Sequence, residues 1–323
     1  MKRPQELGRF PAAEVARQLL LAHLDAAAEA HRRLARHTDA DALHDFRVAL
    51  RRLRSVLRAY RRQLEAVPKK LRKRLRALAR TTNAGRDAEV QLEWLRRQKN
   101  IPAMERAGYE WFRRRLERAR NRAYTDIRRD VPVYFSAIEG NLRKALRPIA
   151  PAKTGSYAAA TAGLLVDYGA RLGRKLACIR SIADQDKIHG ARIAGKRLRY
   201  ILEPLAAELS GAKRTVESLK TFQDRFGLLC DDFARARALR QAAETLGADR
   251  ARAALEHASG ARAKAPDGLE SLLPGLAALA RRVEREAARR YAAIERRYLG
   301  DAGRTFLKPV SVLAHRLGTA ARH

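Results

Sequence analysis

Two cysteines, Cys178 and Cys230, are all this sequence carries. Their separation fits neither a CxxC motif nor a disulfide framework, so no cysteine zinc site is expected and a reducing compartment is. Aromatic residues make up only 6% of the chain, and alternating β-branched runs do not occur, which removes the usual signal of strands. Long apolar runs are missing too. The most apolar N-terminal stretch, Val15 to Leu24, is interrupted by Arg17 and His23, and no apolar run reaches 18 residues. Neither a signal peptide nor a membrane span is expected, and the protein is read as soluble and cytoplasmic. There is no GxSxG elbow, no P-loop, no glycine-rich dinucleotide fingerprint, and no HExxH or HxxxH spacing.

Acidic residues are the most consequential shortage. Against 69 Lys plus Arg stand 35 Asp plus Glu, a formal net charge of +34 on 323 residues. Such a charge repels itself in a compact state unless a polyanion neutralises it. DNA, RNA, an anionic membrane surface and inorganic polyphosphate are the candidates. Of the basic residues 55 are Arg and 14 are Lys. The guanidinium fork matches phosphate oxygens bidentately, which favours a phosphate ligand; a GC-rich codon bias would raise Arg and Ala as well. With 46% hydrophobic residues the chain has the means to fold, so wholesale disorder is excluded.

What is present is helical periodicity, punctuated by Pro, Gly, Asn and Asp. The pattern predicts helices over 11–37, 42–65, 69–83, 86–99, 103–130 and 133–147. A second series covers 157–183, 186–209, 213–226, 230–246, 249–259, 270–299 and 303–318. The fold class is therefore all-α. The Pro, Gly and Ser of 148–156 read as a linker between a first helical half, 10–147, and a second, 157–300, with 301–323 as a C-terminal extension. An internal repeat supports that division. The segment from His44 through Phe46, Arg47, Arg51, Arg52, Leu53 and Arg54 reappears, 145 residues later and without a gap, from His189 through Arg192, Lys196, Arg197, Leu198 and Arg199. The same offset carries Asp87 onto Asp232. Duplication of a helical unit, each half a bundle, explains both coincidences.

On a helix of about 100° per residue, Arg47, Arg51, Arg54 and Arg58 share an arc of roughly 80° with His44. Phe46, Ala49, Leu50, Leu53, Val56, Leu57 and Tyr60 fall opposite. The second copy aligns His189, Arg192, Lys196 and Arg199, but places Glu203 where the first has Arg58, and Pro204 should kink the helix there. Cations on adjacent turns repel. A solvated face is the bland explanation; two copies in matching phase favour a polyanion site instead. Over 69–80 a further stripe, Lys69, Lys73, Arg76 and Arg80, opposes Leu71, Leu75 and Leu78. Basic clusters at Arg113 to Arg118 and at Arg281, Arg282, Arg285, Arg289 and Arg290 contain interspersed Glu and read as solvated faces that widen the positive field. Asp87 and Asp232 are read as structural residues, capping helix N-termini or pairing with a stripe arginine. No metal site and no cofactor are expected, because neither His44 nor His189 is followed by further ligands.

The doubled pattern His44-x-x-Arg47-x-x-x-Arg51-Arg52-Leu53-Arg54 and His189-x-x-Arg192-x-x-x-Lys196-Arg197-Leu198-Arg199 resembles the CHAD family, the conserved-histidine α-helical domain. Arg86-Asp87 and Asp231-Asp232 look like that family's second signature. The resemblance spans roughly residues 10 to 300. It implies two four-helix bundles related by pseudo-twofold symmetry and a basic surface between them that binds inorganic polyphosphate. It implies binding roles for His44, Arg47, Arg51, Arg54, His189, Arg192, Lys196 and Arg199. Arg52, Arg58, Lys69, Lys73, Arg76, Arg80 and Arg197 complete the candidate set. The chain looks like a stand-alone module of a bacterial cell, non-enzymatic and directed to polyphosphate granules. The alternatives are a nucleic-acid-binding or architectural protein, though the stripes lack interleaved aromatics for base stacking, and a metal-dependent phosphohydrolase.

Overall fold

The structure is a computed structural model and describes residues 8–34, 39, 41–147, 155–259 and 269–321. Ten α-helices account for most of them: α1 (Ala12–Leu34), α2 (Ala42–Ala59), α3 (Lys69–Thr81), α4 (Asn83–Arg96), α5 (Ala103–Ala145), α6 (Tyr157–Ala177), α7 (Gln185–Leu202), α8 (Ala212–Ala258), α9 (Leu269–Tyr298) and α10 (Gly300–Ala320). Among the described residues there is no strand, only a single bridge between Pro11 and Ser156. None of the described helices is long and apolar enough to cross a membrane. Most of the expected linker, 148–154, lies outside the described residues, as does the end of the helix expected over 11–37.

Fewer and longer helices form than the punctuation predicts. The break expected at Pro132 is absent, and α5 runs through it. A helix-interior proline removes one hydrogen bond and crowds the preceding turn, at a cost of about 3 kcal/mol. Here Ile127, Val131, Phe135, Ile138 and Leu142 form one buried stripe on both sides of the proline and hold the two halves on one axis. Likewise 213–226, 230–246 and 249–259 are one helix, α8. Leu219, Phe222, Phe226, Leu229 and Phe233 keep the 3–4 spacing of a buried face across the first expected break. Gly227 and Gly247 are the strongest breakers available, and a glycine in a helix costs only about 1 kcal/mol relative to alanine. Pro204, expected to kink its helix, instead ends it: α7 stops at Leu202 and a 3-10 turn, Glu203–Leu205, follows.

The chain divides into two compact units assembled from non-contiguous segments. The first comprises Met1–Asn83, Tyr124–Phe226 and Ile294–His323; the second comprises Ala84–Ala123 and Gly227–Ala293. In the first, α1 packs on α2, α6 on α7 and α10, and α2 on both α3 and α7. The scarce aromatic residues are concentrated in its core. Phe46 meets Phe135 edge-on at 5.1 Å, and Tyr60 stacks on Tyr157 at 5.5 Å. Phe222 touches Phe226, Tyr298 and Phe306 at 4.2, 5.1 and 5.3 Å. The Tyr60 hydroxyl is satisfied by Thr161 Oγ1 at 2.9 Å, and burial pushes the Tyr157 phenol up to about 12.

The second unit has its own core, in which Leu92, Trp94 and Leu95 of α4 pack with Phe112 and Leu116 of α5, Leu239 and Leu246 of α8, and Leu276, Leu279 and Val283 of α9. Gly108 of α5 and Gly275 of α9 meet backbone to backbone: a Cβ on Gly108 would lie 2.2 Å from the Leu272 carbonyl oxygen. Only glycine permits that approach.

Candidate anion-binding site

The helix carrying the first motif folds as its pattern dictates. Phe46, Ala49, Leu50, Leu53, Val56, Leu57 and Tyr60 are buried, so the opposite face of α2 carries His44, Arg47, Arg51, Arg54 and Arg58. This face is not uniformly solvated. His44 and Arg58 are exposed, while Arg47, Arg51 and Arg54 are half-buried. On α3, Leu71, Leu75 and Leu78 are buried and Lys69, Lys73, Arg76 and Arg80 are exposed. On α7, Ala194, Leu198, Ile201 and Leu202 are buried with Tyr200; His189 is exposed, and Arg192, Lys196, Arg197 and Arg199 are half-buried.

Because α2 packs on both α3 and α7, cations from three helices converge. Arg54 stands at the centre of this convergence. Burial first, then the guanidinium groups of Arg58, Arg76, Arg197 and Arg80, lower its pKa from the ordinary arginine value. Arg197 is lowered in the same way by burial and by Arg58, with a smaller contribution from Arg171 of α6. Arg171 in turn lies over the Tyr168 ring at 5.5 Å. Among the described residues no carboxylate pairs with Arg54, Arg58, Arg76, Arg80 or Arg197. A surface group of this density without counter-charge is an anion site in waiting, since any phosphate oxygen placed among the guanidinium groups gains charge-assisted hydrogen bonds.

The rest of the motif is spoken for differently. Arg47 donates to Thr82 Oγ1 at 2.6 Å and to Asn83 Oδ1 at 3.0 Å, tying α2 to the end of α3. Arg199 pairs with Glu203 at 2.9 Å, donates to Gln223 Oε1 at 3.1 Å and lies over the Tyr200 ring at 4.8 Å. Arg52 approaches the same Glu203 carboxylate at 3.6 Å. Beside Arg52, burial and then the arginine's charge lower the pKa of His23 to about 4. The two motif segments therefore differ at their ends: Glu203 pairs with Arg199 just beyond α7, whereas Arg54 and Arg58 of α2 have no carboxylate partner among the described residues.

Asp87 is exposed in the second turn of α4 rather than at its N-terminus. Asp232 caps no helix either. It is fully buried in the interior of α8, where it accepts from Arg235 at 2.7 Å and from Arg290 of α9. Burial is the largest influence on its carboxyl and raises its pKa, against the pull of Arg290 and Arg235. Arg235 lies over the Trp94 ring at 5.3 Å, and Arg290 also binds Glu286 at 2.8 Å. Arg290 and Arg282, the latter bonded to Glu105 at 2.9 Å, are therefore tertiary struts of the second unit and not part of a solvated face. Arg113 keeps the local character expected of its cluster, bonding Glu110 and Glu117 on its own helix. Among the described residues no three His, Cys, Asp or Glu side chains gather as metal ligands.

Two participants escaped sequence reasoning. Arg171 belongs to no motif, and only the packing of α6 on α7 brings it to the cluster. His23 was visible only as an interruption of an apolar stretch. A family model described as the CHAD domain matches residues 18–240. No curated protein matches the chain. Among solved structures, the CHAD domain from the plant Ricinus communis superposes with a TM-score of 0.60 at 21% identity, covering 84% of this chain and 93% of its own. PptA from Streptomyces chartreusis superposes with a TM-score of 0.65 at 16% identity, covering 89% of this chain and 99% of its own. At such identities the likeness is one of fold.

Proposed function

The chain belongs to the CHAD domain family, and from that premise we propose that it binds inorganic polyphosphate, without turning it over, on the arginine cluster centred on Arg54. The observation that carries this reading is the gathering of Arg54, Arg58, Arg76, Arg80 and Arg197 from three helices with no carboxylate partner among the described residues. Successive cations on α2 and α3 recur at one-turn intervals, about 5 to 6 Å along each helix. A flexible chain of phosphates can present an oxygen to each, whereas a rigid duplex meets only some. Association with polyphosphate granules in the cell follows from the same chemistry.

The test is a competition titration at physiological salt, with labelled long-chain polyphosphate displaced by unlabelled polyphosphate, duplex DNA or RNA. Displacement by polyphosphate at far lower phosphate concentration than by either nucleic acid is the expected result. Equal displacement per phosphate reduces the protein to a general polyanion binder. Phosphate released from polyphosphate by the pure protein, with or without divalent metal, would overturn the non-catalytic part of the proposal.

A further inference from the structure

The 145-residue offset that superimposes the two motifs maps Arg52 onto Arg197, Arg54 onto Arg199 and Arg58 onto Glu203. Two pairs of residues from the two motif segments are related by that mapping. Arg52 of the first helix meets Glu203 beyond the end of the second, at 3.6 Å. Arg197 of the second helix lies within the field of Arg58 near the end of the first, whose charge, after burial, lowers its pKa. At corresponding positions of the repeat, Arg52 thus faces a carboxylate while Arg197 feels a guanidinium. Where Arg58, Arg54 and Arg197 have no carboxylate partner among the described residues, Glu203 sits between Arg199 at 2.9 Å and Arg52 at 3.6 Å. Gln223 and the Tyr200 ring complete the seat of Arg199.

We infer that Glu203 is a built-in anion that occupies the second half of a two-part polyphosphate site and so limits the length of chain the protein engages. This rests on the polyphosphate reading of the Arg54 cluster and assigns its boundary. A short chain fills the cluster of Arg54, Arg58, Arg76, Arg80 and Arg197 and gains little from extension toward Arg52 and Arg199, because the carboxylate already pairs with Arg199 and offsets the charge of Arg52. A longer chain reaches those two arginines only by displacing it. The pairing is intramolecular and needs no association step, so an added phosphate competes at a disadvantage.

The experiment is a binding titration with sized inorganic polyphosphates, from tripolyphosphate to chains of several tens of phosphates, against the whole protein and its Glu203→Gln variant. In the native protein, affinity per chain end should rise with length and then level off. In Glu203→Gln the rise should continue, with about tenfold tighter binding of the longest chains. The slope of log affinity on log salt should steepen by about 1.4, the release expected for two further cations at about 0.7 each. Tripolyphosphate should bind both proteins equally, which also shows that the variant is folded; Glu203→Ala serves as the second variant. Equal tripolyphosphate binding with no gain for long chains in either variant overturns the role of Glu203 and leaves the polyphosphate reading standing. Failure of the native protein to bind any chain length overturns that reading itself.

Discussion

Asp232 and Arg235 lie one turn apart in α8, joined at 2.7 Å, with no surface of the aspartate exposed. The residue that sequence symmetry pairs with Asp87 thus serves the interior of the second unit, where Arg290 supplies a second donor from α9. A buried ion pair adds little relative to an apolar replacement, but removing one partner strands the other charge. Asp232→Ala should therefore lower unfolding free energy by about 3–5 kcal/mol in urea titrations. Replacing Asp232 and Arg235 together with Leu and Met should lose less than the single variant. A single variant within 1 kcal/mol of the native protein would show the pair to be incidental.

Gly195 of α7 faces the Phe222 ring so closely that a Cβ would lie 2.3 Å from Cε1. Phe222 cannot retreat, because Phe226, Tyr298 and Phe306 surround it. Gly195→Ala should destabilise the protein by about 1–3 kcal/mol through overpacking, read as a lower midpoint in thermal or urea denaturation. Gly163 is the control, since nothing lies within 4 Å of its Cβ position. Gly163→Ala should be neutral or slightly stabilising on helix propensity.

These two residues show where local pattern stops being informative. The apolar faces of α2, α3 and α7 follow from period alone, and Leu53, Leu75 and Leu198 are all buried as the wheels require. The Glu203 substitution is also visible in the sequence as a break in the stripe. Its pairing with Arg199 follows the i,i+4 spacing, but its pairing with Arg52 is not visible there, because it depends on α2 packing against α7. Helix ends are misread for a related reason. Pro132 and Gly227 are local penalties of a few kcal/mol at most, and continuous buried faces outweigh them. Asp232 looks like a cap only so long as α8 is taken to start beside it.

His23 offers a test by pH. Burial and the charge of Arg52 hold its folded pKa at about 4, against an ordinary 6.5. The unfolded chain therefore takes up a proton between those values and the folded protein does not. The stability tied to neutral His23 is complete above pH 6.5 and is lost as pH falls toward 4, by up to about 3 kcal/mol. Between pH 7 and 4, native stability should fall more steeply than that of His23→Gln. Parallel curves for the two proteins would show that the imidazole is not held neutral.

Arg54 sets stability against binding. Its neighbours are guanidinium groups and its surroundings are partly desolvated, so at low salt and without ligand Arg54→Met should raise unfolding free energy, by about 1 kcal/mol for relief of like-charge repulsion. The same change should weaken polyphosphate binding at least tenfold. A variant that loses both stability and binding would mean that the arginine stem is packing and the cluster is incidental.

Salt separates a true multi-contact site from diffuse attraction. If Arg54, Arg58, Arg76, Arg80 and Arg197 all engage phosphates, log affinity should fall with log salt at a slope near −3.5, taking about 0.7 per cation as for single-stranded nucleic acid. Raising salt from 50 to 200 mM should then weaken binding about 100-fold. Arg58→Ala should reduce the slope by about 0.7 as well as the affinity, because it removes one contact and leaves the others in place. A slope shallower than −2 would mean that the convergence of α2, α3 and α7 brings cations together without using them on the ligand. A native slope unchanged in Arg58→Ala would place the phosphate chain elsewhere on this strongly basic surface.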